Sequence, residues 1–207
     1  MAYWGQADYG LIPKTPRVDV AIFCYDFKDA FGISWDDFRK PIPAAVSSFR
    51  KLKSNAVPLH AKAAGHYVNA MLARWDAKQK GGSDAILLDD AGNLAEGPVS
   101  SVFVVRAGAV RTARLEYVLA GITRDSVIRV TRDLGIPFFE ADIPAADLAR
   151  VDEAFYSGTH TRVQPITAID GRSLGACPGP VTARIQKAVE DAYDGKDRRY
   201  AAWLDYV

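Results

Sequence analysis

Two kinds of hydrophobic pattern alternate along this chain of 207 residues, with turn signals between them. Short runs rich in β-branched and aromatic residues predict strands, and turns such as Asp170-Gly171 join some of them into hairpins. Apolar residues at helical spacing, as in residues 68–80, predict helices. Because the hairpins interrupt the alternation of strands and helices, the pattern predicts a mixed α/β (α+β) fold rather than a regular doubly wound sheet.

The predicted elements follow from these patterns and from their caps. Thr123 is predicted to cap one helix and Gly135 to end it, and Pro180 is predicted at the first position of another. Pro41 and Pro43 predict a connector. The predicted strands are residues 18–25, 85–88, 101–105, 109–112, 137–143, 154–157 and 163–174, the last of which is a hairpin. The other predicted helices are residues 68–80, 144–150 and 180–193.

Composition and charge exclude several classes of function. A net charge of +1 gives neither the basic surface that nucleic acids require nor a polybasic signal for anionic membranes. No apolar run reaches the length of a transmembrane helix, and the N-terminus lacks the profile of a signal peptide. Cys24 and Cys177 have neither metal-ligand nor CxxC spacing. We therefore expect a cytoplasmic protein without a metal site.

Lys62 lies between alanines in the segment LHAKAAGHY of residues 59–67. An amine among apolar neighbours loses hydration, and this favours its neutral form. A neutral amine can attack a carbonyl carbon to form a Schiff base, the step on which pyridoxal-phosphate chemistry depends. Taken by itself, the segment is more typical of a surface lysine or of a helix start.

Three further positions carry signals of similar weight. Glu96 follows a predicted turn and is either a surface carboxylate or a buried partner for a pyridinium nitrogen. Gly121 precedes a predicted helix, whose first N–H groups can bind phosphate, although many such helices bind nothing. Thr159 follows a predicted strand and either contacts phosphate or carboxylate oxygens or lies in a plain turn. None of these positions decides a function alone.

Taken together and in this order, the segments resemble a class IV (fold type IV) pyridoxal-phosphate aminotransferase of the branched-chain type. The resemblance covers nearly all of residues 47–207 and is most specific in GITRDSV and in the C-terminal AAWLDYV. It implies the large domain of the D-amino acid aminotransferase-like fold. The other matching segments are AKAAGHYVNAMLAR, AILLDDAGNLAEG, VDEAFYSGT, QPITAIDGRSLG and GPVTARIQKAVEDAYDGK.

The resemblance implies a role for each matched residue. Lys62 would be the Schiff-base lysine and the general acid and base. Tyr67 would donate a hydrogen bond to the 3-oxygen of the cofactor ring, and Glu96 would pair with the ring nitrogen. The phosphate would be held by Leu119, Gly121, Ile122, Thr123 and Thr159. The substrate carboxylate would face Thr159 and His160.

The implied reaction is a reversible exchange of an amino group between a branched-chain amino acid and a 2-oxo acid such as 2-oxoglutarate. The implied cofactor is pyridoxal 5′-phosphate, and the implied assembly is a homodimer or higher homo-oligomer with the active site near the interface. Other members of the class keep the cofactor and change the reaction, namely D-amino acid and (R)-amine transaminases and aminodeoxychorismate lyases. A catalytically inactive chain that binds the cofactor or a partner is a further alternative.

Three positions depart from the family pattern. Ser101 stands where the family usually has an asparagine. His66 also stands where an asparagine is common, and His160 stands where a small residue is common, beside the implied substrate site. A histidine there either narrows the pocket and brings a titratable donor to the substrate carboxylate, or it is a partly exposed loop residue.

The N-terminal region departs furthest from the family. Residues 1–45 resemble only the end of the small N-terminal domain, and residues 46–207 resemble the large domain. The apolar opening of residues 1–5 resembles the inside of a strand. Because the rest of the small domain is not matched, we expect a fragment, started at an internal methionine or otherwise shortened. In the family the small domain supplies a phosphate-binding arginine and part of the substrate pocket. Such a chain would keep the Schiff-base machinery and have weak or no turnover.

Overall fold

A computed structural model describes residues 1–5, 12, 14–15 and 17–205, and the chain divides into two units, Met1–Trp35 and Asp36–Val207. In the first unit, the strands β1 (Ala2–Trp4) and β2 (Val18–Val20) pair antiparallel, and the short helix α1 (Phe27–Phe31) follows them. The strand-like opening is confirmed. The strand predicted for residues 18–25 ends at Val20, so its second half is wrong.

The second unit holds the remaining elements, with strands and helices interspersed. Its strands are β3 (Ile42–Arg50), β4 (Asp84–Leu88), β5 (Ser101–Arg106), β6 (Ala109–Thr112), β7 (Phe138–Glu140), β8 (Glu153–Gly158), β9 (Arg162–Ile169) and β10 (Arg172–Ser173). Its α-helices are α2 (Tyr67–Gln79), α3 (Ile122–Asp133) and α4 (Pro180–Tyr193), with 3₁₀ helices at Asp37–Arg39, Ala64–His66, Leu115–Tyr117, Ala145–Arg150 and Arg198–Trp203. No helix in the described part of the chain is long and apolar enough to cross a bilayer.

The strands of the second unit form one mixed sheet in the order β4-β3-β9-β8-β5-β6-β7, with β10 paired to β9. β3 runs parallel to β4 and to β9, and β7 runs parallel to β6, whereas β9, β8, β5 and β6 pair antiparallel in turn. Parallel pairs need crossover connections, and α2 and α3 supply two of them. The predicted mixed α/β fold is therefore confirmed.

Alternate residues of the central strands β5 and β8 point to opposite faces of the sheet. Phe103 and Phe155 stack with their ring centroids 5.0 Å apart, on the face that α3 and α4 cover. Val102 and Tyr156 point to the other face, where they belong to a second buried cluster. Because both faces are buried, these strands read in the sequence as continuous apolar runs rather than as an alternation.

The predicted connector around Pro43 is wrong, because this segment begins β3. The register between β3 and β9 shifts between Ile42 and Ala44, so Pro43 lies at an irregularity in the ladder. A proline is tolerated there because no ladder N–H is required of it. β3 runs from Ile42 to Arg50 and therefore continues across the predicted boundary between residues 1–45 and residues 46–207.

The predicted cap of α3 is also wrong. The helix begins at Ile122, with Gly121 in an extended conformation (φ −72°, ψ 130°) at the N-cap position. The Gly121 carbonyl accepts a hydrogen bond from the Asp125 N–H at 3.1 Å, so Thr123 already lies inside the first turn. Since a glycine has no side chain with which to satisfy the first N–H groups, this helix start stays available to a ligand.

Candidate active site

A cavity of about 300 Å³ opens in the second unit where five segments meet. These are the loop after β3, the start of α2, the turn before β5, the start of α3 and the end of β8. Eight of the nine predicted site residues line it, namely Lys62, Tyr67, Glu96, Leu119, Gly121, Ile122, Thr123 and Thr159. The fold therefore brings residues from distant parts of the sequence into one site.

Glu96 is buried in the wall of this cavity, with 5% of its surface exposed. Its carboxylate forms an ion pair with Lys51 Nζ and accepts a hydrogen bond from the Leu119 N–H at 3.2 Å. Its backbone carbonyl accepts from the Leu87 N–H at 2.9 Å, which ties it to β4. A buried charge needs such partners, so this carboxylate is held in one position, and the alternative of a surface carboxylate is excluded.

Lys51 is a cavity residue that the sequence analysis missed. It directly follows β3, its side chain is only 17% exposed, and its N–H donates to the Leu88 carbonyl at 2.8 Å. The carboxyl ends of parallel strands are the usual place for ligand-binding residues in α/β sheets. That signal depends on recognising β3 as a strand, and the prolines near its start concealed it.

The turn between Glu96 and β5 leaves no room for a side chain at Gly97. A Cβ at this position would lie 2.6 Å from Ser100 Oγ and 2.9 Å from Tyr156 Cε1. The Tyr156 hydroxyl donates to the Ala85 carbonyl at 2.9 Å. Burial raises the pKa of this phenol well above its ordinary value, so it stays a protonated donor. The turn that carries Glu96 is thus pressed against a fixed aromatic ring.

The start of α3 forms another wall of the cavity. Thr123 is buried there, whereas the Ile122 side chain points to solvent and is 87% exposed. A Cβ at Gly121 would lie 3.8 Å from Ser101 Oγ, so Ser101 borders the helix start. The first N–H groups of the helix have no partner within it, and the helix dipole is positive at this end. This wall is therefore suited to an anionic group.

Lys62 lies on the irregular loop between β3 and α2 and is exposed. Its neighbours Ala61 and Ala64 are exposed and Ala63 is half-buried, so the loss of hydration that apolar neighbours would cause is not seen at this lysine in the described structure. The reason is that connecting loops run over the surface, where small apolar flanks cannot by themselves exclude water. Leu59 is buried and anchors the loop, and Tyr67, 41% exposed, follows it as the first residue of α2.

Thr159 and His160 follow the end of β8, and both are exposed. Thr159 lines the cavity, whereas the His160 ring lies against Phe38, with the ring centroids 5.6 Å apart. The pKa of His160 is lowered, first by its partial burial and second by the positive charge of Lys62. His160 is therefore close enough to Lys62 to feel its charge, although it is the one predicted site residue that is not part of the cavity lining.

The family described as amino-transferase class IV matches residues 3–169. The chain is 37% identical over 200 residues to a probable branched-chain-amino-acid aminotransferase of Aquifex aeolicus, a match that covers 95% of this chain and 62% of the relative. It is 33% identical over 208 residues to a branched-chain-amino-acid aminotransferase of Pseudomonas aeruginosa, covering 100% of this chain and 67% of the relative. The chain belongs to amino-transferase class IV, and the resemblance found in the sequence is confirmed.

Solved structures agree with this assignment. A crystal structure of a branched-chain aminotransferase from Thermoproteus uzoniensis with norvaline has a TM-score of 0.77 and 39% identity, over 81% of this chain and 56% of that one. The holo form of a branched-chain amino acid aminotransferase from Thermobaculum terrenum has a TM-score of 0.77 and 35% identity, over 80% and 55%. The chain spans 62% and 67% of the length of the two curated relatives above.

Proposed function

We propose that this chain is a pyridoxal-phosphate-dependent transaminase that exchanges an amino group between a branched-chain amino acid and a 2-oxo acid such as 2-oxoglutarate. The observation that carries the proposal is the single cavity shared by Lys62 and the buried Glu96. A lysine amine can hold the cofactor covalently, and a carboxylate can pair with its ring nitrogen. The names of the class IV relatives support the same reaction.

The residues of the cavity fit the cofactor. Glu96 supplies a fixed negative charge for the pyridinium end, and the start of α3 supplies N–H groups for the phosphate end. Two lining residues carry buried donor atoms, Ser157 Oγ and Arg124 Nε, that have no hydrogen-bond partner within the described residues. Buried polar atoms without a partner call for an explanation, and a polar ligand in the cavity gives one.

Each of these groups has a distinct task. When bound, the cofactor withdraws electrons from the substrate α-carbon and so makes its proton acidic. Lys62 Nζ would hold the cofactor and move that proton as general base and acid. The Tyr67 hydroxyl would donate to the 3-oxygen of the ring, and Glu96 would keep the ring nitrogen protonated. Thr159 would contribute its hydroxyl to the phosphate, and Thr159 with the following His160 would face the substrate carboxylate.

Borohydride reduction followed by peptide mapping tests the covalent link. We expect one reduced cofactor per chain, on the peptide that contains Lys62, and none in Lys62→Ala. Lys51 provides an internal control because it is the other lysine that lines the cavity. Labelling on Lys51, or labelling spread over surface lysines, would overturn the assignment.

The substrate class is tested with a panel of amino donors and 2-oxoglutarate. L-leucine should react faster than D-alanine, an (R)-amine or aminodeoxychorismate. The branched-chain names of the relatives favour this order. A clear preference for D-alanine or for the (R)-amine would move the chain to another branch of the same class, while leaving the role of Lys62 intact.

We further propose that the protein is a cytoplasmic homodimer, joined through the outer face of α2. Val68, Met71 and Trp75 on this helix are 58%, 64% and 61% exposed, and clustered apolar side chains of this size mark interaction surfaces. The face is continuous with the cavity, because Tyr67 and Val99 line both the cavity and the groove along α2. Light scattering should give twice the mass of the chain for the wild type and for the control Gln79→Glu, and the single mass for Trp75→Glu.

A further inference from the structure

Two serine side chains lie side by side on the central strands, next to the start of α3. Ser101 of β5 and Ser157 of β8 are direct partners in the antiparallel ladder. Direct partners point to the same face of a sheet, with Cβ atoms about 5 Å apart. The face is the one that α3 covers, because Phe103 and Phe155, two residues along each strand, belong to the cluster that packs against this helix.

The position of this serine pair is fixed by its neighbours. Ser101 Oγ lies 3.8 Å from the place that a Cβ at Gly121 would take, so it borders the N-terminus of α3. Ser157 is only 2% exposed, and its Oγ has no hydrogen-bond partner among the described residues. Both serines line the cavity. The cavity lining therefore includes a buried hydroxyl that has no hydrogen-bond partner among the described residues.

The chemistry around this hydroxyl selects an anion with several acceptor oxygens. The N–H groups at the start of α3 and the positive end of its dipole favour negative charge. The Ser157 hydroxyl can donate one more hydrogen bond to an anion at this place. Glu96 bridges to Ser101 on the side opposite Ser157, and its carboxylate repels such an anion. A ligand that carries a phosphate at one end and a protonated nitrogen at the other would therefore place its phosphate beside Ser157.

We propose that the Ser157 hydroxyl, with Ser101 beside it, is a further binding group for the phosphate of the cofactor in this chain. The proposal rests on the proposed function and adds a hydroxyl pair to the helix start and Thr159. It also assigns a role to Ser101, the direct partner of Ser157 in the ladder.

A binding role and a packing role predict opposite effects on the free protein. An unpaired buried hydroxyl destabilises the fold, so Ser157→Ala should raise the melting temperature of the ligand-free chain, by roughly 2–4 °C. The same substitution should weaken the binding of a phosphorylated ligand. Ser126→Ala is the matched control, because Ser126 is a buried serine of α3 whose Oγ donates to the Ile122 carbonyl at 3.1 Å and which is not part of the cavity lining.

The test compares pyridoxamine 5′-phosphate with pyridoxamine by titration calorimetry, since neither compound can react with Lys62. Ser157→Ala should weaken the phosphorylated ligand roughly five- to tenfold and leave pyridoxamine unchanged. Ser101→Ala should show a smaller loss with the same selectivity, and Ser126→Ala should show none. An unchanged affinity for the phosphorylated ligand in Ser157→Ala, or an equal loss for both ligands, would overturn the proposal.

The two proposals fail separately. If borohydride trapping at Lys62 fails while the phosphate preference persists and is lost in Ser157→Ala, the proposed function is wrong and the hydroxyl assignment stands. If trapping succeeds and Ser157→Ala binds both ligands like the wild type, the hydroxyl assignment is wrong and the function stands. A wild-type chain that shows no preference for the phosphorylated ligand overturns the hydroxyl assignment in either case.

Discussion

The cavity lining around Glu96 (the Glu96 wall) is held more rigidly than the cavity lining around Lys62 (the Lys62 wall). Glu96 is buried, ion-paired and bonded to the sheet through its backbone, and the turn after it has no space for a side chain at Gly97. Lys62 is exposed on an irregular loop, and a Cβ at the nearby Gly65 would meet nothing within 4 Å. The difference follows from their places in the fold, since Glu96 is hydrogen-bonded to the sheet, whereas Lys62 lies on a loop at the surface.

This difference matches the proposed chemistry. Glu96 has to hold one charge beside a ring nitrogen, and a fixed carboxylate does this without reorganisation. Lys62 has to attach to the cofactor and then move a proton, and a lysine on a loop keeps the freedom to do both. The contrast between a rigid wall and an adaptable wall can be tested with matched substitutions.

Glu96→Ala should have the largest effect on stability. It leaves Lys51 as a largely buried cation without its counter-ion, and breaking such a pair costs about 3 kcal/mol of unfolding free energy. Urea denaturation measures the loss. The control is Asp90→Ala, which breaks the pair between Asp90 and Lys53, where both side chains are 53% exposed. A similar loss in both variants would show that the Glu96 wall is no more rigid than the surface.

Gly97→Ala and Gly65→Ala make the same chemical change on the two walls. At Gly97 the new methyl group would collide with Ser100 Oγ and Tyr156, and overpacking of this kind costs about 1–3 kcal/mol. At Gly65 the methyl group meets open space, so the free energy of unfolding should change by no more than about 0.5 kcal/mol. Equal melting temperatures for the two variants would contradict the contrast.

The smallest expected effect is on pH dependence at the Lys62 wall. The pKa of His160 is lowered from its ordinary value of 6.5, by burial and by Lys62, so its imidazole is neutral at neutral pH and gains charge only as the pH falls below that value. The added positive charge should strengthen the binding of a simple carboxylate such as 4-methylvalerate, by roughly two- to fivefold between about pH 7.5 and about pH 5.5. A titration series at both pH values measures this gain.

His160→Gln is the matched variant for the pH experiment, since it keeps a polar side chain and removes the titration. We expect its affinity for the carboxylate to be the same at both pH values. A gain that persists in His160→Gln would assign the pH dependence to another group.

Local signals predicted the elements whose geometry is set by a few neighbouring residues. The hairpin across Asp170-Gly171 is one case, because β9 and β10 pair antiparallel on either side of it and both residues adopt positive φ (48° and 78°), as a tight turn between twisted strands requires. The start of α4 at Pro180 is another, since proline suits the first helical position. Both predictions are confirmed.

Features that depend on distant contacts could not be predicted in the same way. β3 owes its existence to parallel pairing with β4 and β9, and this pairing outweighs the local preference of Pro43. Lys51 was missed for the same reason. The exposure of Lys62 depends on what packs over the loop, which its alanine neighbours do not determine. The family resemblance supplied the site residues, whereas the partner of Glu96 and the unpaired Ser157 hydroxyl came only from the structure.

The outermost position of β4 in the sheet of the described chain has a practical consequence. Its free side is partly closed by the stretch that leads to Glu96, where the Ala95 N–H donates to the Leu87 carbonyl at 2.9 Å. An uncovered strand at a sheet border invites pairing with other molecules. A ligand that holds Glu96 in place would therefore also protect this strand from aggregation. Protein stripped of pyridoxal 5′-phosphate should become turbid sooner on storage than protein to which the compound has been added back.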